Sequence, residues 1–399
     1  MCVPKHPAAP AVLCALAATT ILLASAGCTS NEPRTSADRG DGGRAKGGIA
    51  VSSTDDTCSV STTRAASGTL VFDVTNDGSK VTEFYLYRAD GKTIAGEVEN
   101  IGPGLTRQLV VRAQPGTYTT ACKPGMSGDG IRAKFTVTGS GRAVAGADQR
   151  LLDQAAARYR SYVTSEVDKL LSGTKQFVAA YKAGQYDRAR ELYAPVRVHW
   201  ERIEPVAESF GDLDPKMDLR EADLAQGQTW TGWHLLEKDL WWPADAPGAQ
   251  RLTDAERTKY ADQLLADTRD LRKRVATLEY QPDQLANGAK ELLDEVATGK
   301  VTGEEEIWSH TDLYDFQANV DGAREAFDAL RPVVDKKDPA LGKVIEQRFT
   351  VLRKQLGEYR RGDGFVSYTD LSQAQVKQLS DSVNALAEPL SRLTATILV

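Results

Sequence analysis

From residue 151 to the C-terminus, apolar residues recur at spacings of three and four, the period of one helix face. The pattern predicts helices over 151–183, 187–208, 218–240, 253–278, 282–298, 304–330, 339–359 and 372–398. Gly184 ends the first, Pro195 is expected to kink the second, and Gly227 interrupts the third. Thr253 and Ser372 stand at N-cap positions, with Glu256 completing a capping box after Thr253. Such helices with short connections make an all-α bundle.

Residues 49–139 follow another pattern. Thr69-Leu70-Val71-Phe72-Asp73-Val74 is a β-type run that ends in the turn chemistry of Asn76-Asp77-Gly78-Ser79. Similar runs cover 81–88, 105–111, 118–122 and 132–137, with turns at 100–104 and 114–116. Short strands broken by Gly and Pro predict a small all-β sandwich. A Gly/Ala-rich hinge over 140–150 separates it from the helices, so the chain is multi-domain, as 399 residues lead one to expect.

Residues 1–28 read as an export signal: Lys5 and His6 precede an apolar run from Ala8 to Ala26 with small residues near its end. Ala26-Gly27-Cys28 fits a lipoprotein box with Cys28 taking the lipid, although Ser25 stands where Leu is usual. Cleavage after Ala26 is the alternative and would release a soluble protein. Residues 29–48, rich in Ser, Gly, Asp and Arg, behave as a flexible tether. The expected location is therefore outside the cytoplasm, as a cell-surface lipoprotein or a periplasmic protein. The formal net charge of −6 argues against nucleic acid as a partner.

The candidate chemistry lies in Gly232-Trp233-His234-Leu235-Leu236-Glu237. His234 and Glu237 are three apart, so imidazole and carboxylate share a helix face. Glu201 and Glu204 repeat the spacing upstream, and facing helices of a bundle hold metals with such pairs. Asp218, between the pairs, completes the candidate set, though it is equally placed to cap a helix from Leu219. Glu204 also has Arg220 as an ordinary ion-pair partner. Glu304, Glu305 and Glu306 suit the first turn of a helix, with one of them in reach of the site. His310 is read as structural or as supporting the ligands, and Trp200, Trp230, Trp233, Trp241 and Trp242 as packing around them. Oxygen donors with one imidazole suit iron in either oxidation state, and also zinc or manganese.

Trp200-Glu201-Arg202-Ile203-Glu204-Pro205, Phe210-Gly211-Asp212-Leu213-Asp214-Pro215, the Gly-x-His-x-x-Glu stretch and the block from Ser309 to Ala323 resemble the imelysin family, over residues 145–399. Within it the likeness is to EfeO-type iron-uptake proteins, whose metal sites add an Asp from the region of Asp218. The β domain resembles the cupredoxin-like domain of the same proteins, through Glu99-Asn100-Ile101-Gly102-Pro103-Gly104 and Gln114-Pro115-Gly116-Thr117-Tyr118. A blue-copper centre needs two His and a Cys, and no His lies between Gly48 and Gly139. Cys58 and Cys122 most simply form a disulfide in an oxidising compartment. The resemblance offers the alternative that Cys58, Glu83 and Cys122 bind copper or iron.

The resemblance implies the extracytoplasmic iron-binding component of an EfeUOB-like uptake system, passing iron to a membrane permease and working beside a haem peroxidase. Such a protein is not an enzyme. An imelysin-type metallopeptidase is the alternative, but zinc peptidases pair two His in H-E-x-x-H or its inverse, and this motif has one. An acidic-polysaccharide-binding protein is a further alternative, disfavoured by the acidic net charge.

Overall fold

The computed structural model describes residues 48–398 apart from 92–93, 127, 140–145, 225–226, 243–250 and 299. The export signal, the Cys28 box, the tether up to residue 47 and most of the expected hinge lie outside the described residues. Residues 146–150 belong to the first helix.

Residues 49–138 form a cupredoxin-like sandwich. One sheet holds, in order, β2 (Cys58–Val60), β1 (Ile49–Ser53), β4 (Gly68–Asn76) and β7 (Thr106–Ala113). The other holds β3 (Arg64–Ala66), β9 (Ile131–Thr138), β8 (Gly116–Cys122), β5 (Thr82–Tyr87) and β6 (Ile94–Ile101). β1 runs parallel to β4 and β3 parallel to β9, while the remaining pairs are antiparallel. Alternation in β4 explains the packing: Leu70, Phe72 and Val74 are buried between the sheets. The Phe72 ring meets Phe84 at 5.2 Å and Phe135 at 5.5 Å. β1, β2, β3 and β6 were not predicted, the first three being short and weakly alternating. β6 runs through the expected turn as far as Ile101, with Asn100 taking up the bend at φ 54°.

The helices are α1 (Gly146–Lys182), α2 (Tyr186–Glu201), α3 (Asp214–Met217), α4 (Trp233–Leu240), α5 (Asp254–Val275), α6 (Pro282–Thr298), α7 (Asp312–Lys337), α8 (Pro339–Gly357), α9 (Gln373–Leu390) and α10 (Leu393–Leu398). A small hairpin, β10 (Arg360–Arg361) with β11 (Gly364–Phe365), was not predicted. The capping box at Thr253 is present, and Ser372 caps its helix as expected and forms a capping box with Gln375 as well. The sandwich rests on the bundle through β7: Asn287 donates to the Val110 carbonyl at 3.0 Å and Arg107 pairs with Asp294 at 3.0 Å.

Four predicted helices are corrected, and the first three corrections bear on the site. The helix over 187–208 stops at Glu201, and a 3₁₀ segment, Glu204–Leu213, follows. Pro205 is the reason: it has no N–H for the Glu201 carbonyl four residues back, and its ring would collide with it. Asn319 supplies the missing donor to that carbonyl at 3.1 Å. The helix over 218–240 is reduced to α4, preceded by α3 and a 3₁₀ turn at Glu221–Asp223. Gly232 sits at φ 93°, which no helix accepts, and a Cβ there would lie 2.3 Å from the Met217 carbonyl oxygen. The helix over 304–330 begins only at Asp312, because His310 adopts φ 56°. Residues 372–398 divide into α9 and α10.

Candidate metal centre

The breaks at Glu201, Gly232 and His310 point helix ends and irregular backbone at one buried place. His234, in the first turn of α4, is 2% exposed. Its Nδ1 lies 3.3 Å from Glu237 Oε2, as the i,i+3 spacing anticipates. Its Nε2 lies 3.6 Å from both Asp218 Oδ1 and Glu305 Oε1 and has no hydrogen-bond partner. One atom from each of Asp218, His234 and Glu305 falls within a sphere of metal-ligand size, as does one from each of His234, Glu237 and Glu306.

Glu237 and Asp218 are each held by specific donors. Glu237 turns Oε1 to the backbone N–H groups of Trp308 and Ser309, at 3.0 and 2.7 Å, which ties α4 to the 304–311 turn. Trp200 Nε1 donates to Asp218 Oδ2 at 2.8 Å. Asp218 therefore caps no helix from Leu219; it follows α3 as its C-terminal cap. Glu201 and Glu204 are not on one helix, yet they converge on Lys300. Its Nζ lies 3.1 Å from Glu201 Oε2 and 2.8 Å from each oxygen of Glu204. Asn319 Nδ2 donates to the same two side chains at 2.9 and 2.7 Å. Arg220 pairs with Asp223 and approaches Glu305 at 3.6 Å.

Arg197, fully buried, is the hub of the charges. It pairs with Glu201 at 2.7 Å and Glu305 at 3.1 Å, contacts Asp218 and Glu306, and reaches Asp315 at 3.7 Å. Even so, acids outnumber bases here, and burial pushes Glu204, Glu306 and Asp315 well above the usual carboxylate range. Neither oxygen of Asp315 has a hydrogen-bond donor. Burial also opposes ionisation of Glu305, but Lys300, His234 and Arg197 outweigh it and hold this carboxyl well below the usual range. For His234, burial and the Arg197 charge oppose protonation, while Glu237, Glu305 and Asp218 favour it and bring it to about 9. An excess of buried oxygen donors around an orphaned imidazole nitrogen is an environment that a polyvalent cation relieves.

Glu204, Asp218 and Glu305 open on a cleft of about 270 Å³, lined also by Glu97 of β6 and by Glu291 and Glu295 of α6. The cleft thus runs between sandwich and bundle. Sequence reasoning missed Arg197 and Lys300, and of the Glu304–306 run it expected one acid where Glu305 and Glu306 both arrive. Arg197 had a signal, four residues before Glu201 on one helix face; Lys300 had none. His310 stands outside both ligand groups. Trp200 and Trp233 are fully buried, and Trp230 donates to the Leu219 carbonyl at 2.7 Å.

In the sandwich, Cys58 and Cys122 form a disulfide with Cα atoms 5.6 Å apart. The alternative of metal held by Cys58, Glu83 and Cys122 gives way to it, since no free thiolate stands beside Glu83. Glu83 is buried and accepts a hydrogen bond from the Tyr85 hydroxyl at 2.9 Å.

A family model described as Imelysin matches residues 155–393, and one described as a cupredoxin-like domain matches residues 13–137. An Efem/EfeO family lipoprotein of Staphylococcus haemolyticus is 44% identical over 251 residues, covering 62% of this chain and 85% of its own length. The iron uptake system component EfeO of Escherichia coli K12 is 37% identical over 354 residues, covering 88% of this chain and 91% of its own. EfeO of Yersinia pseudotuberculosis is 38% identical over 352 residues, with the same shares. With the imelysin match running through most of the bundle, the cupredoxin-like match over the sandwich, and EfeO relatives alike over most of the chain, this chain belongs to the imelysin family, among its EfeO-type members.

Proposed function

We propose that this protein captures iron outside the cytoplasm and delivers it to a membrane permease, as the binding component of an EfeUOB-like uptake system working beside a haem peroxidase. The observation that carries the reading is His234 Nε2, buried and without a hydrogen-bond partner, 3.6 Å from carboxylates of both Asp218 and Glu305. Asp218, His234 and Glu305 are the first ligands. Glu237 and Glu306 serve the Nδ1 side, and Glu201 and Glu204 border the same chamber. Hard carboxylate oxygens with one imidazole suit ferrous and ferric iron and tolerate zinc; Cu(I), which prefers thiolate or thioether, is poorly served.

The names of the relatives support the reading, since EfeO proteins are called iron uptake system components and one relative is called a lipoprotein. Attachment through a lipid on Cys28 would keep the cleft near a permease. Among the described residues no helix is long and apolar enough to cross a membrane. No residue is assigned a catalytic role.

Calorimetric titration of the purified protein with ferrous and with ferric iron, zinc competing, tests the proposal beside His234→Ala and Glu237→Ala. Tight iron binding is expected in the wild type and is lost in both variants. Iron binding that survives both substitutions unchanged would remove this site from the mechanism.

A further inference from the structure

We infer that Lys300 is a built-in occupant of the acidic chamber, an internal cation that an incoming metal ion must displace. The inference rests on the metal-binding function proposed above and concerns what that site holds before its cargo arrives. The Lys300 side chain is 2% exposed, and Glu201 and Glu305 around it are 0% and 4% exposed. Its Nζ lies 2.8 Å from both oxygens of Glu204, 3.1 Å from Glu201 and 3.7 Å from Glu305. An ammonium ringed by carboxylate oxygens stands where a hard cation would be ringed at shorter distances, about 2.0–2.6 Å. Glu201 and Glu305 are buried, and Glu204, 12% exposed at the cleft, turns both oxygens to Lys300, so the charge of Lys300 holds these carboxylates together.

The backbone beneath Lys300 is anchored. Tyr368 donates its hydroxyl proton to the Val301 carbonyl at 2.5 Å. Gly303 follows at φ 79°, packed so closely on the Tyr368 ring that a Cβ would come within 2.7 Å of it. The ammonium therefore leaves by rotation of its own side chain, and the cleft that Glu204 and Glu305 line is the space beside it.

Displacement of one unit charge by another gains little, whereas a divalent or trivalent ion brings a surplus of attraction to the same oxygens. Lys300 is thus a charge-selecting residue: it closes the chamber to sodium and potassium and leaves it open to polyvalent cations. Glu305, facing His234 on one side and Lys300 on the other, is the carboxylate through which the exchange is felt.

Lys300→Met, similar in length but uncharged, separates the alternatives. Ferrous iron and zinc are expected to bind this variant about tenfold tighter or better than wild type in low salt. The gain is expected to shrink as potassium chloride is raised with ionic strength held constant by a bulky organic cation salt. Binding equal to or weaker than wild type overturns the inference. Wild-type protein that binds neither metal instead overturns the proposed function, so the failures are distinguishable. Should Lys300→Met not fold, wild-type protein is treated with formaldehyde and a borohydride, with and without zinc. Methylation of Lys300, read by mass spectrometry, is expected only with zinc bound; equal methylation in both states overturns the inference.

Discussion

Trp200 Nε1 donates to Asp218 Oδ2 at 2.8 Å, so the last turn of α2 sets the position of an acid on irregular backbone beyond it. Asp218 would otherwise depend on its contacts with Arg197 and His234. The tryptophan is fully buried and its ring packs on Phe210 at 5.9 Å, so packing and orientation can be separated by substitution.

Trp200→Phe keeps the apolar packing and removes the N–H. Metal affinity is expected to fall about 10- to 100-fold, the usual effect of deleting a group that orients a ligand. Titration with zinc and iron, beside a melting curve close to that of wild type, checks it.

Arg197→Met leaves buried carboxylates without their common cation. Breaking buried pairs from one side costs roughly 3–5 kcal/mol. Denaturant unfolding of the apo variant should show that loss, and added zinc should recover part of it by supplying the missing positive charge. A variant as stable as wild type would mean the acids are neutralised in some other way.

Asp283 supplies a pH dependence away from the candidate metal centre. It accepts the backbone N–H of Arg112 at 2.6 Å where the bundle meets β7. Burial raises it to about 6, with that hydrogen bond acting in the opposite sense. Folding thus favours the neutral acid: its contribution is full below about pH 4, the ordinary unfolded value, and is lost as pH rises through about 6, amounting to about 3 kcal/mol. Asp283→Asn keeps an acceptor for Arg112 and cannot ionise. Its stability relative to wild type is therefore expected to rise from pH 4 to 7, as read by urea unfolding at each pH.

Cys58→Ser with Cys122→Ser unties β2 from β8, which lie in different sheets. A loss of about 2–5 kcal/mol from the sandwich is expected. Zinc affinity of the bundle centre should be unchanged, because neither sulfur belongs to it. Calorimetric melting with and without zinc resolves the two effects, and lost zinc binding would place metal in the sandwich.

The helices free of breaks were legible from their ends. Thr253 with Glu256 and Pro282 at a first turn mark α5 and α6 as the structure has them. The second helix was read as longer than it is, because apolar spacing continues through Ile203 and Val206 although Pro205 has taken the hydrogen bond away. Pairwise motifs such as His234 with Glu237 are local, so spacing exposes them. Lys300 meets Glu201 and Glu204 across 99 and 96 residues, and no periodicity reports such a meeting. The Gly232 turn could have been suspected, as glycine before a Trp-His helix start, but its reason is the Met217 carbonyl pressed against it, which only tertiary structure supplies.

Asp218, His234 and Glu305 reach the centre from separate stretches of chain, each fixed by the arrest of a helix. In the unfolded chain these donors are far apart, so under the proposed function holding the ion and holding the fold would be one equilibrium. At a thousandfold excess over its dissociation constant a bound ion adds about 4 kcal/mol to the native state. On the proposed function the converse would set the terms of release: whatever levers Asp218 and His234 away from the end of α2 would let the cargo go without ever touching it.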